Sequence, residues 1–301
     1  MVGGGTSFLL MAAAGLVPGG ERLVALRGGE RDAKKWKNWI DGASNPFQFP
    51  QQGAKLDSID RKTAAALMKK RGITNVNKAA DILRGVHKRD PTNVQVKLEL
   101  ADAICTIIRI KTNANSLVLE GTQDCPAFKK IWGKLGSEAL PLAIEARKAM
   151  PDSVKALALY ADAFMFYSSS KGIVKQALTG VGKKYIAVAK ELCKHPEWDS
   201  AVGEVFLGGF YNVAPWPVGS KQKAMNHLLK GAKLAPTRRN LYYVGVVAYQ
   251  TGDYLKAKEY FSQSLSRPIC KAQSSTECDI ADFISKEAKR GLKLAQEAMA
   301  S

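Results

Sequence analysis

The chain has 301 residues, 46% of them hydrophobic, and a formal net charge of +18 from 45 Lys and Arg against 27 Asp and Glu. That is enough chain to bury a large core, and the composition excludes a disordered protein. No uninterrupted apolar run approaches the roughly 20 residues of a membrane-spanning helix, and five cysteines are too few for a disulfide scaffold.

Residues 1–55 read as an irregular arm. An apolar segment from Ser7 to Val17 ends at Pro18-Gly19-Gly20, with no basic region in front of it and acidic residues soon after. It is a poor secretory signal and fits as the remnant of a longer leader or as a buried strand or helix. An organelle, plastid or mitochondrion, is preferred over the cytoplasm. Trp36 and Trp39 share one face of a short helix, and Phe47 and Phe49 alternate as in an extended segment lying on the rest.

From residue 56 to 301 the pattern is helical, so the expected fold is all-α. Ser58 starts a helix that ends at Lys70 before Gly72, and a second runs from about Val76 to Lys88. Hairpin punctuation then recurs. Asn93 and Ser153 stand as helix caps just after Pro91 and Pro151, and Leu100-Ala101-Asp102-Ala103 is echoed by Tyr160-Ala161-Asp162-Ala163. Pro91, Pro151 and Pro236 lie twelve residues after Ala79, Ala139 and Ala224, while Pro196 and Pro268 lie eleven after Tyr185 and Ala257. Five prolines thus mark five hairpin ends, at intervals of 60, 45, 40 and 32 residues. The earlier hairpins carry inserts, the longest between Lys111 and Pro126. The regular copies span 199–236 and 238–268, and an amphipathic helix over 276–300 forms an end cap. Cys270 and Cys278 bracket a polar loop, either as a loop-closing disulfide or as a free pair.

These spacings resemble the tetratricopeptide repeat. Leu241, Val244-Gly245, Gly252-Asp253-Tyr254, Ala257 and Phe261 fall on motif positions, and Leu207-Gly208, Tyr211, Ala224, Leu228 and Pro236 repeat them with an insert, Pro215-Trp216-Pro217. A looser likeness connects the divergent repeats and the Trp-containing insert to TRAP-transporter T-components and regulators of microtubule dynamics. The resemblance implies a right-handed superhelical stack of about five hairpins whose first helices line a concave groove. Its groove positions fall on Gln95, Asp102, Lys155, Asp162, Asn212, Arg239, Tyr242, Tyr249 and Gln250.

Function is expected to be binding, with no catalytic residue, metal or cofactor. The Ser-x-x-Lys runs at Ser168 and Ser220 lack their companion motifs, Gly180-Val181-Gly182-Lys183-Lys184 lacks the hydroxyl and strand of a phosphate loop, and His87, His195 and His227 stand at or near helix ends. Asp102 and Asp162 occupy equivalent places; a carboxylate pair can do acid–base work if its surroundings split the two pKa values, and the plainer expectation is groove polarity or salt bridges to nearby lysines. Trp198, Phe206, Phe210, Tyr211 and Trp216 cluster around the fourth hairpin, as core or as a ligand pocket. The leading expectation is a scaffold or complex subunit holding a protein partner in the groove or on its basic outer face. The alternatives are a basic binder of RNA or of an acidic polymer such as a microtubule, and a small-ligand protein using the aromatic pocket.

Overall fold

In the computed structural model, residues 48–172, 180–270 and 276–300 are described, and every regular element among them is helical. The helices are α1 (Gln48–Lys70), α2 (Ile73–Arg89), α3 (Val94–Thr112), α4 (Pro126–Ala149), α5 (Val154–Ser169), α6 (Val181–Leu192), α7 (Val202–Val213), α8 (Lys221–Leu234), α9 (Arg238–Gln250), α10 (Tyr254–Ser266) and α11 (Ala281–Ala300). Short 3₁₀ turns occupy Asn113–Asn115 and Thr276–Ile280. None of these helices is long and apolar enough to cross a membrane.

The expected punctuation is present. Each of the five prolines stands two to four residues beyond a helix end. Asn93, Ser153, Ser220, Thr237 and Asp253 each accept a hydrogen bond from a backbone N–H three residues on, a cap contributing about 1 kcal/mol. One boundary needs correction. The helix expected at Ser58 begins at Gln48, so residues 48–55 are helical rather than arm. Pro50 sits in the first turn, where no N–H is required, and therefore does not force extension. Phe49 is part of that helix, whereas Trp36, Trp39 and Phe47 lie outside the described residues. The cap also starts differently: Thr276 opens a 3₁₀ turn, and the α-helix proper begins at Ala281.

Consecutive helices pack side by side from α2 to α11, and α3 also packs on α5, α7 on α9 and α9 on α11. The apolar interior falls into two large parts. One joins α1 to α5 around Leu83, Leu100, Ile104, Ile108, Trp132 and Phe166. The other joins α7 to α11 around Tyr242, Val244, Phe261 and Ile284. A smaller group, Leu157, Ala161, Val188, Leu192 and Val202, connects α5, α6 and α7 between them. Burial all round explains α3 and α9, which carry apolar side chains on every face.

Two segments cross between the halves. The insert after α3 sends Leu117 and Leu119 into the second core, where the Tyr242 hydroxyl donates to the Leu117 carbonyl (2.9 Å) and Gln250 Nε2 donates to those of Val118 and Leu119 (2.9 and 3.2 Å). In return, Asp279 from the turn before α11 reaches Arg71 (2.6 Å) and Arg109 (2.9 Å) in the first half. Cys270 and Cys278 form a disulfide, with a Cα–Cα separation of 5.3 Å, beside this turn.

Candidate functional site

The first half of α5 and of α7 is joined through the small core with α6. Beyond it α5, α6 and α7 border a cavity of about 150 Å³. Phe164, Met165 and Ser168 come from α5, Val181, Gly182 and Tyr185 from α6, and Val205, Phe206, Gly209 and Phe210 from α7. A second cavity, of about 280 Å³, shares Asn115, Thr122, Ser169, Gly182, Phe210 and Val213 with the first and extends to Pro215-Trp216-Pro217. Gly182 makes the wall possible: a Cβ there would stand 3.0 Å from the Phe210 ring. The Tyr185 ring lies 5.9 Å from Phe206 and 5.6 Å from Phe210.

The inner end of the cavity is polar. Arg109, with 5% of its side chain exposed, donates through Nη1 to Asp162 Oδ2 (2.6 Å), through Nε to Asp279 (2.9 Å) and through Nη2 to Thr106 (2.7 Å). Arg239 donates to Asp199 Oδ2 (3.2 Å), the Asp199 carbonyl (2.8 Å) and Asn240 (3.1 Å), while its backbone N–H donates to Glu277 (2.9 Å). Asp199 also accepts from the backbone N–H of Thr276 (3.0 Å) and from its hydroxyl. Two runs of left-handed non-glycine backbone flank this end, Asn113–Asn115 with φ of 50–54° and Asp199–Ala201 with φ of 44–58°. Such conformations cost about 1–3 kcal/mol each and persist where surrounding contacts over-determine them. Burial, together with Asp199 and Asp102, outweighs the Arg109 charge and pushes the Asp162 carboxyl up to about 6.

The expected groove residues are therefore not an open surface. Asp162, Arg239, Tyr242 and Asn212 are buried. Tyr242 and Gln250 hold the insert, Arg239 holds the turn before α11, and Asn212 Oδ1 accepts from Lys221 (2.7 Å). Tyr249 packs on Tyr254, with ring centroids 5.4 Å apart. Asp102 pairs with Lys155 (2.7 Å) and approaches Arg109 (3.8 Å), so a guanidinium brings the two equivalent aspartates together. Gln95 alone of the nine is exposed, and it donates to Glu99 (3.0 Å). The chain's own insert is hydrogen-bonded to two of the nine, Tyr242 and Gln250.

The aromatic cluster separates into different surroundings. Phe206 and Phe210 line the cavity. Tyr211 turns to α8, stacking on His227 at 5.7 Å under Lys223. Trp198 packs against the small core, and Trp216 is 90% exposed at the rim of the second cavity. Sequence reasoning missed Arg109, Tyr185 and Phe164 as wall residues. An arginine within Ile107-Ile108-Arg109-Ile110 was the available signal, since a charge inside an apolar helix needs a partner. Among the described residues, no group of His, Cys, Asp and Glu is placed to hold a metal.

No protein-family model matches the chain, and comparison with curated proteins gives no match.

Proposed function

We propose that the protein is a non-enzymatic binding module that encloses a small, largely apolar organic molecule between α5, α6 and α7. The cavity carries this reading. Protein interiors hold few voids larger than a water molecule, whereas this space amounts to about 150 Å³ and is partly open to solvent, so a ligand could enter it. A space walled by aromatic rings with a few convergent polar groups at one end has the composition of a ligand site. The frame around it reads as a tetratricopeptide-like superhelical stack of about five hairpins. Support comes from the five prolines and from the close seating of small residues on first helices against large ones on second helices. A Cβ on Gly208 would lie 2.5 Å from Leu228, and one on Gly245 2.7 Å from Phe261.

Gly209 supplies the test. It lines the cavity, and a Cβ added there meets nothing within 4 Å. Gly209→Phe is expected to fill the space while keeping or raising stability, because phenylalanine is the better helix former by about 0.5 kcal/mol. A thermal-shift screen with apolar and amphipathic metabolites is expected to stabilise the native protein by about 2.7 kcal/mol at a hundredfold excess over Kd, with no shift in the variant. A folded variant that still responds, or a native protein that responds to nothing, would overturn the reading.

A second reading, contact with an acidic protein partner along the outer face, rests on how charge is partitioned. Arg61, Arg71, Arg84, Arg89, Arg109, Arg147, Arg239 and Arg290 all pair with carboxylates, as do the lysines at 97, 129, 155, 230 and 293. Among the described residues, the cations left without a carboxylate are mostly exposed lysines. Binding of polyglutamate that weakens steeply with added salt is the expected result; salt-independent binding rejects it.

A further inference from the structure

The chemistry at the inner end of the cavity narrows the class of ligand, given the pocket reading above. Every nitrogen of the Arg109 and Arg239 guanidiniums already donates to a protein oxygen. Each guanidinium is also held against carboxylates, Arg109 by Asp162 and Asp279 and Arg239 by Asp199, so a ligand anion there would meet negative charge at contact distance. The carboxylate side is the more open to a ligand of opposite charge. Asp162 lines the cavity and takes one hydrogen bond, from Arg109 to Oδ2, leaving most of the lone pairs of an ionised carboxylate open. Tyr185 is 8% exposed and also lines the cavity, yet its hydroxyl makes no hydrogen bond with any described residue. Its ring lies within 6 Å of both the Phe206 and the Phe210 ring.

An open carboxylate, a phenol hydroxyl with no bond to a described residue and aromatic faces around one cavity are the elements that bind alkylammonium groups. We propose that the cavity takes an organic cation, an amine with an apolar body, its ammonium against Asp162 and the Tyr185 hydroxyl and its chain along Phe164, Phe206 and Phe210. Arg109 and Asp102 from α3, Asp199 from the turn before α7, Tyr185 from α6, Arg239 and Tyr243 from α9, and Asp279 from the turn before α11 are the charged and titratable groups around that carboxylate. They set the pH window. With the Asp162 carboxyl held at about 6, amine affinity is flat above that pH and falls about tenfold per unit below it as the carboxylate takes a proton.

The test is isothermal titration of the full chain with n-octylamine, n-octanol and octanoate at pH 7.5 and pH 5. The amine is expected to bind at least tenfold more tightly than the alcohol at pH 7.5, to lose about tenfold at pH 5, and to show the alcohol and octanoate little changed or absent. Asp162→Asn should remove the preference. Because that change also alters the Arg109 pairing, Tyr185→Phe serves as a milder variant, expected to lose several-fold in amine affinity while folding normally. Alcohol or octanoate binding as tightly as the amine would overturn the cation assignment and leave the pocket standing. If none of the three binds the native protein, and Gly209→Phe behaves identically, both readings fall.

Discussion

Replacing Arg109 with methionine is expected to destabilise the protein by about 3–5 kcal/mol, the usual consequence of removing one partner from a buried ion pair. Asp279, whose side chain is fully buried, and Asp162 both bond to this one guanidinium. Without it, Asp162 has no strong cation at contact distance, and Asp279 keeps only Arg71 (2.6 Å). The deficit should depend on pH with a definite sign. Removing the positive charge raises the folded-state pKa of the Asp162 carboxyl further above its unfolded value. The folded variant then binds protons that the unfolded chain does not, so its stability falls as pH rises through that range. Urea denaturation should therefore show a smaller gap from the native protein at pH 5 than at pH 8. A gap below about 1 kcal/mol at pH 8 would mean that water or rearrangement solvates the aspartates and that the cluster does not hold the halves together.

Phe261→Ala is expected to cost about 3–5 kcal/mol, the range for removing a large, fully enclosed ring. The ring is wholly buried and sits between two glycines on different helices: a Cβ on Gly245 would lie 2.7 Å from it, and one on Gly291 2.6 Å. Its neighbour Tyr242 is 6.0 Å away between ring centroids. A double-mutant cycle separates cavity from clash. Gly245→Ala should destabilise the native protein by crowding the ring, and should be neutral or stabilising once Phe261→Ala has cleared the space. Additive effects, measured by urea unfolding, would show that the two positions do not share one packing constraint.

What was legible in the sequence is what local chemistry encodes. Prolines, caps and apolar periodicity mark helix ends and buried faces within a few residues, which is why five helix ends emerge from Pro91, Pro151, Pro196, Pro236 and Pro268. The crossings are different in kind. Tyr242 and Leu117 are 125 residues apart, and nothing in a helical period says that a polar groove position will bond to the chain's own insert. The turns at Asn113–Asn115 and Asp199–Ala201 are also silent, because they adopt left-handed backbone without the glycine that normally announces it. The candidate site was half visible for the same reason. Phe206 and Phe210 stand out at helical spacing, whereas Tyr185 and Phe164 gain meaning only when α5 and α6 are placed beside α7.

The pairing of Asp279 with Arg71 spans 208 residues, and it bears on how the chain is made. During synthesis the first five helices would leave the ribosome with Arg109 facing Asp162 but without the carboxylate that arrives next to last. A stack of repeats can ordinarily grow and fray one neighbour at a time. Here the early helices are completed only by a late segment, so assembly has a final fastening step, and losing the carboxy-terminal turn would loosen the amino-terminal helices. The early helices are thereby tied to a late turn as well as to their neighbours in sequence.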